Sequence, residues 1–113
     1  MTKIILAFSA EMQAAINEGR KCCTSRTHPH GQVGDTFSVS HQLFRITHIV
    51  EMYASAVAEE LYGCEGFSNQ NGFVDWWKEH KGSFDPDQTL HVHFFAAVLL
   101  PIPTGGFIPA VKA

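Results

Sequence analysis

Apolar residues recur at every second position over the segment 89–98, and this repeat constrains the fold of the chain more than any other feature. A repeat of two residues is typical of a β-strand with one buried face, because successive side chains point to opposite faces of a sheet. We therefore predict the longest strand of the chain here. Its alternating positions are Leu90, Val92, Phe94, Ala96 and Val98.

Shorter segments of the same kind predict the rest of a small sheet. Residues 36–40 and 43–50 also alternate, and the apolar run Ile4–Phe8 is typical of a short buried strand. The stretch GRKCCTSR, residues 19–26, starts with a glycine that can end a helix and is followed by a loop. We therefore expect this stretch to be extended.

Apolar residues at helical spacing predict three helices. The first begins after Ser9, a suitable N-cap, and ends near Gly19. The second covers 53–61, and the third covers 73–80 and ends at Gly82. The resulting order is β-α-β-β-β-α-α-β with mostly short connections. It predicts an α+β fold in which helices flank a small curved mixed β-sheet or β-barrel.

Length, charge and cysteine content limit the class of protein. A chain of 113 residues, 45% of them apolar, is expected to form a single domain over 1–113, with a core at about 4–98 and a Pro/Gly-rich tail at 101–113. The net charge of −3 argues against nonspecific coating of nucleic acid. No apolar stretch approaches the ~20 residues of a membrane span, so we expect no membrane partner. Three cysteines, two of them adjacent, indicate a reducing, cytoplasmic location.

Neither the cysteines nor the histidines form a recognisable metal or redox motif. Cys22 and Cys23 are adjacent, whereas such motifs place two residues between the cysteines, so we interpret both as small buried residues. His91 and His93 share one face of the predicted strand, and the loop 27–31 carries two more histidines. No zinc-ligand spacing is present among them. We expect no metal and no cofactor.

A lysine and a threonine in GRKCCTSR suggest nucleophilic chemistry. A desolvated lysine can act as a base and activate a hydroxyl. In a regular strand Lys21 and Thr24 face opposite sides, with Arg26 on the side of Thr24, so a bend would be needed to bring Lys21 beside Thr24. The alternative is a solvated lysine and an ordinary strand threonine. The residues alone leave both interpretations open.

Four segments, taken in order, resemble the ASCH domain of the PUA-like superfamily. They are GRKCCTSR at 19–26, the turn 33–35 into a strand, the Glu65-Gly66-Phe67 element, and the aromatic helix over 73–80. The resemblance covers about 4–98 and rests on the order and spacing of these segments. The chain departs from the family segment at its two adjacent cysteines, which replace a threonine and an aliphatic residue.

The resemblance implies a PUA-like β-barrel with a cleft lined by residues 19–26. Some family members are 4-acetylcytidine amidohydrolases, in which a lysine, a threonine and a glutamate carry the reaction. The matching catalytic positions are Lys21, Thr24 and Glu65, and Arg20 and Arg26 match as substrate-binding residues. The implied function is hydrolysis of a small N-acylated nucleoside such as 4-acetylcytidine. Lys21 would take a proton from Thr24, and Glu65 would protonate the leaving nitrogen.

Two other functions stay open from the sequence. PUA-like folds often recognise RNA, and a local basic patch would suit an RNA partner. The residues available for that patch are Lys3, Arg20, Lys21, Arg26 and Arg45. The other alternative is a metal-assisted ribonuclease that uses the loop and strand histidines. The expected partner is thus a small nucleoside or RNA, and the sequence does not define the oligomeric state.

Overall fold

A computed structural model describes residues 2–99, and the predicted α+β fold is confirmed. The predicted tail at 101–113 lies outside the described residues. Helices and strands follow one another in an order close to the predicted one. The elements are α1 (Ala10–Asn17), β1 (Cys23–Arg26), β2 (Thr36–Val39), β3 (Gln42–Tyr53), α2 (Ala54–Glu60), α3 (Gln70–Lys81) and β4 (Thr89–Ala97).

The four strands form one strongly curled half-barrel sheet in the order β1-β4-β3-β2. All three strand pairs are antiparallel, and an isolated parallel bridge joins Lys3 to Thr36. The register between β3 and β4 shifts at Ile46 and His48. Such a bulge bends a strand and increases its twist, which favours the curl of the sheet.

The prediction of a first strand at Ile4–Phe8 is wrong. The segment is assigned to no strand: the amide of Ile4 donates to the carbonyl of Thr36 at 2.7 Å, but the segment forms no ladder with β2. Leu6 is buried, whereas Ile5 is 93% exposed. The run is apolar because alternate side chains pack on the sheet, and such packing does not require the paired backbone of a strand.

Two apolar clusters cover the two faces of the sheet. One contains α2 and α3, with Trp77 and Phe73 packed against Leu90 and Val92 of β4. The other contains Ile16 of α1 with aromatic and aliphatic residues of β2, β3 and β4. Since successive side chains of β4 point to opposite faces, this strand contributes to both clusters.

Helix caps occur where the sequence predicts them. The Ser9 hydroxyl accepts a hydrogen bond from the amide of Met12 at the start of α1. Gly82 ends α3 in the left-handed conformation at φ +90°, where glycine carries no steric penalty. Among residues 2–99, no helix has the length and apolar character that crossing a membrane requires.

Candidate active site

Three buried polar side chains form a continuous hydrogen-bonded chain beside β1. The Lys21 Nζ donates to the Glu65 carboxylate Oε1 at 3.1 Å and to the Glu65 carbonyl at 3.0 Å. The Ser25 hydroxyl lies 2.5 Å from the other carboxylate oxygen, Oε2. Lys21 and Glu65 are only 4% and 3% exposed, so this ion pair is removed from solvent.

Backbone hydrogen bonds bring the lysine and the glutamate together across 44 residues of sequence. The carbonyl of Cys64 accepts from the amides of Cys22 and Cys23, at 2.8 and 3.1 Å. These bonds fix the loop after α2 against the start of β1. Lys21 immediately precedes Cys22, and Glu65 immediately follows Cys64. The hydrogen bonds between the two segments therefore place the Lys21 and Glu65 side chains next to each other.

Gly66 allows this close approach. Its backbone adopts φ +103°, a conformation that L side chains rarely adopt. A Cβ at this position would lie 3.3 Å from the Cβ atoms of both Ala15 and Lys21. The Glu65-Gly66 sequence therefore lets the loop pack tightly on α1 and on the lysine.

The Lys21–Glu65–Ser25 chain borders a cavity of about 90 Å³. This volume is well below the ~300–1,000 Å³ of pockets that enclose a drug-sized ligand, so it suits a small group of a larger ligand. Thr24 also borders the cavity, and aromatic side chains form much of the remaining wall. The aromatic lining residues are Phe8, Phe67, Trp76 and Trp77.

Arg26 lies at the cavity with its guanidinium over the ring of Phe8, 5.2 Å from the ring centroid. Its Nε donates to the Thr24 hydroxyl at 3.4 Å and its Nη2 donates to the Ala7 carbonyl at 3.0 Å. Burial lowers the pKa of Arg26, and the charge of Glu65 opposes that effect. A guanidinium remains cationic in such a setting, so it can face an anionic or carbonyl group.

Arg20, the other predicted substrate-binding residue, does not line this cavity. Its Nε pairs with Glu18 at 2.8 Å, and its guanidinium also donates to the Gly66 carbonyl at 3.1 Å. Both members of the pair are more than half exposed. The structure therefore brings together Lys21, Thr24, Arg26 and Glu65 and leaves Arg20 on the surface.

Trp76 presents a polar group that has no partner within residues 2–99. Its indole Nε1 is buried and makes no hydrogen bond there. The ring stacks on His80 with centroids 3.9 Å apart, and Phe67 lies 6.0 Å away. A buried donor without an acceptor is costly, so the Trp76 N–H is a candidate contact for a ligand oxygen. Trp77, by contrast, is a core residue with 2% exposure.

The histidines anchor a loop instead of clustering. His93 is fully buried, and its Nε2 accepts from the His30 amide at 2.9 Å. Its Nδ1 faces the carbonyls of His91 and Thr24 at 3.0 and 3.3 Å, which indicates the neutral ring with the proton on Nδ1. Burial lowers the pKa of His93. Among the residues that the structure describes, no three metal-ligating side chains come together.

The adjacent cysteines face opposite ways, as the strand prediction requires. Cys23 is fully buried, as expected, but the same expectation is wrong for Cys22, which is exposed. Cys22 lies just before the start of β1, and its side chain is exposed whereas that of Cys23 is buried. Partial burial and a hydrogen bond to the Cys64 thiol raise the pKa of Cys22 to about 11, which disfavours a reactive thiolate.

Ser25 is the functional candidate that the sequence analysis did not single out. The signal was present in the same alternation that separates Lys21 from Thr24. In a strand that starts at Lys21, residue 25 falls on the face of the lysine. The structure places the Ser25 hydroxyl there.

Comparison with known proteins supports the fold. No family model matches the sequence, and no curated protein matches it either. An ASCH-domain structure from Lactobacillus crispatus superposes with a TM-score of 0.60 at 17% identity, covering 85% of this chain and 79% of that chain. A protein of Enterococcus faecalis, of the family model DUF984, gives 0.62 at 18% identity, covering 87% and 81%.

A third solved structure, an ASCH protein of Zymomonas mobilis, gives a TM-score of 0.59 at 14% identity. It covers 83% of this chain and 66% of that chain. The chain therefore has an ASCH-like, PUA-like fold, as its motifs predicted. At these identities the likeness concerns the fold alone.

Proposed function

We propose that the protein is an amidohydrolase that acts on a small N-acylated nucleoside such as 4-acetylcytidine. The observation that carries this proposal is the buried Lys21–Glu65 ion pair, which is hydrogen-bonded to a β1 hydroxyl at an aromatic-lined cavity. A buried ion pair is weak evidence for stability, because the desolvation of both charges offsets their attraction. Its position at a cavity favours a chemical role instead.

The arrangement contains the groups that amide hydrolysis needs. A β1 hydroxyl serves as the nucleophile, and the Glu65 carboxylate accepts its proton. Lys21 has three donor hydrogens when protonated, two of which contact Glu65, which leaves one for the oxygen of the tetrahedral intermediate. Glu65 then delivers its proton to the leaving exocyclic nitrogen and activates a water for the second half-reaction.

This mechanism differs from the sequence-based one in its proton acceptor. The sequence assigns that role to a desolvated Lys21. Lys21 is desolvated in the structure, but its Nζ is bound to the carboxylate, so the carboxylate is the better base. The resemblance assigns Thr24 as the nucleophile, and Ser25 is the second hydroxyl at the same place.

The cavity wall supports a planar, polar ligand. Rings of Phe8, Phe67 and Trp76 offer surfaces against which a nucleobase can stack. The indole N–H of Trp76 has no acceptor among residues 2–99 and suits a carbonyl oxygen of the ligand. The small volume would admit the acyl group or one ring edge, with the sugar outside.

The test is release of cytidine from 4-acetylcytidine in the presence of a chelator. Wild type should turn the substrate over, and Glu65→Gln should lower kcat by about 10²–10⁴-fold because the proton acceptor is lost. Glu18→Gln is the matched control, since Glu18 forms an exposed pair with Arg20. No release by folded wild-type protein, or equal rates in both variants, would overturn the proposal.

RNA binding is the second candidate function, and a cluster of cationic side chains near the cavity favours it. Arg26 and Lys81 both border the cavity, and burial, followed by the nearby Arg26, His28 and Lys81, lowers the pKa of His30. Within residues 2–99, Arg26 and Lys81 form no ion pair with an acid. The patch predicted from the sequence loses one member, because Lys21 is buried. If this cluster contacts phosphates, the affinity for single-stranded RNA, measured by titration, should fall steeply as the salt concentration rises.

The proposal includes the reducing, cytoplasmic location predicted from the sequence. All three cysteines are free thiols. This state is ordinary in a reducing compartment.

A further inference from the structure

We propose that Ser25, and not Thr24, is the nucleophile of this site, with Glu65 as its base and Lys21 as the group that positions the base. The substrate assigned to this nucleophile rests on the proposed amidohydrolase function. The assignment of Ser25 itself rests on geometry and can be tested with a different acyl donor.

The hydrogen bonds distinguish the two hydroxyls. Activated nucleophiles lie within hydrogen-bond reach of a base that a third group orients. Ser25 Oγ meets this requirement, at 2.5 Å from Glu65 Oε2, and Lys21 holds the other carboxylate oxygen at 3.1 Å. The Thr24 hydroxyl is bonded instead to the Arg26 Nε at 3.4 Å. That bond has a cationic donor and gives the threonine no group that could take its proton.

The sheet fixes the position of the serine. Ser25 pairs with Val92 of β4 in antiparallel register, near the middle of β1. It is 7% exposed and borders the cavity, so its hydroxyl is held in place yet faces the space where an acyl group would bind. A nucleophile on a strand is held more precisely than one on a loop.

The reaction at this site balances as an acyl transfer in two steps. In the first step, Ser25 Oγ forms a bond to the acyl carbon while its proton passes to Glu65, and the carbon–nitrogen bond breaks as Glu65 protonates the amine. In the second step, water gives a proton to Glu65 and attacks the acyl-serine ester. The carbon–Oγ bond then breaks, the proton returns to Oγ, and the carboxylic acid leaves. No oxidant, reductant or metal enters the balance.

The test uses p-nitrophenyl acetate, an activated ester that requires no recognition of a nucleoside. After a brief reaction and acid quench, peptide mapping should locate a hydroxylamine-labile acetyl ester on Ser25 of the wild-type protein. Thr24→Val should keep this ester. Glu65→Gln should slow its formation by about 10²–10⁴-fold because the base is lost.

Ser38→Ala is the matched control for Ser25→Ala, since Ser38 is an exposed serine on β2. The control should be acetylated on Ser25 like wild type, and Ser25→Ala should carry no such ester. The wild-type map decides the question even where Ser25→Ala fails to fold. An ester on Thr24, or no hydroxyl ester in folded wild-type protein, would overturn the proposal.

The result is separable from the proposed function. Acetyl-Ser25 from p-nitrophenyl acetate together with no cytidine release from 4-acetylcytidine would support the nucleophile and refute the substrate. Cytidine release with the ester on Thr24 would support the substrate and refute Ser25.

Discussion

Removing one member of the buried Lys21–Glu65 pair should destabilise the fold strongly. Lys21→Met removes a charge at a site that is 4% exposed and leaves the Glu65 carboxylate, which is 3% exposed, without its cation. Breaking a buried ion pair in this way costs about 3–5 kcal/mol. For a domain of this size, about 4 °C of Tm corresponds to each kcal/mol, so Tm should fall by about 12–20 °C.

The double variant Lys21→Met/Glu65→Met separates this cost from the loss of other contacts. Replacing both members by apolar residues removes the unpaired charge and is often close to neutral. Ser25 then loses its carboxylate partner, which costs about 1 kcal/mol. We expect the double variant to recover at least about 2 kcal/mol of the stability lost in Lys21→Met, because the buried carboxylate of Glu65 is no longer present without a cation.

Urea unfolding followed by circular dichroism measures both variants. Arg20→Met is the matched control, because Arg20 forms an ion pair at 2.8 Å with both side chains more than half exposed. Such a pair should contribute less than about 1 kcal/mol. A Lys21→Met variant that loses no more stability than Arg20→Met would refute a buried, mutually dependent pair.

Three further predictions concern the surroundings of the site. Burial lowers the pKa of His93 below its unfolded value, so the unfolded state binds more protons. The contribution of His93 to stability is therefore complete above about pH 6.5 and falls as the pH decreases toward the folded pKa. Thermal unfolding between pH 5 and 8 should show a weaker pH dependence in His93→Gln than in wild type. Gly66→Ala should cost about 1–3 kcal/mol through its positive φ and its contact with Lys21, and an unchanged urea midpoint would contradict the described packing. Cys22 should react with a thiol reagent at pH 8 on the order of 100-fold more slowly than an ordinary exposed cysteine, because its pKa is raised. Labelling of Cys22 at the same rate in native and urea-unfolded protein would contradict the raised pKa.

Sequence patterns predicted most helices and strands because these elements depend on contacts between residues that are close in sequence. The alternation over 89–98 corresponds to β4 (Thr89–Ala97), and Ser9 and Gly82 cap helices through contacts within a few residues. The segment Ile4–Phe8 was mistaken for a strand because burial and pairing give the same apolar pattern. Only the position of the segment beside the sheet shows that it packs without a ladder.

The site required tertiary information that spacing alone does not contain. Lys21 and Glu65 are 44 residues apart and meet because the carbonyl of Cys64 binds the amides at the start of β1. The resemblance to the ASCH domain predicted both residues as catalytic, but it did not predict the hydrogen bond between them. Ser25 was overlooked because the alternation that places it on the face of Lys21 does not show that the Glu65 carboxylate lies within hydrogen-bond distance of its hydroxyl.

Turnover of 4-acetylcytidine by wild type and by the double variant Lys21→Met/Glu65→Met tests the central claim most directly. The double variant should be folded, so any difference in rate reports the chemistry of the pair and not the loss of structure. We predict cytidine release by wild type in chelator and none above background with the double variant. Equal release by both proteins, or none by folded wild type, would contradict the assignment of this buried pair to amide hydrolysis.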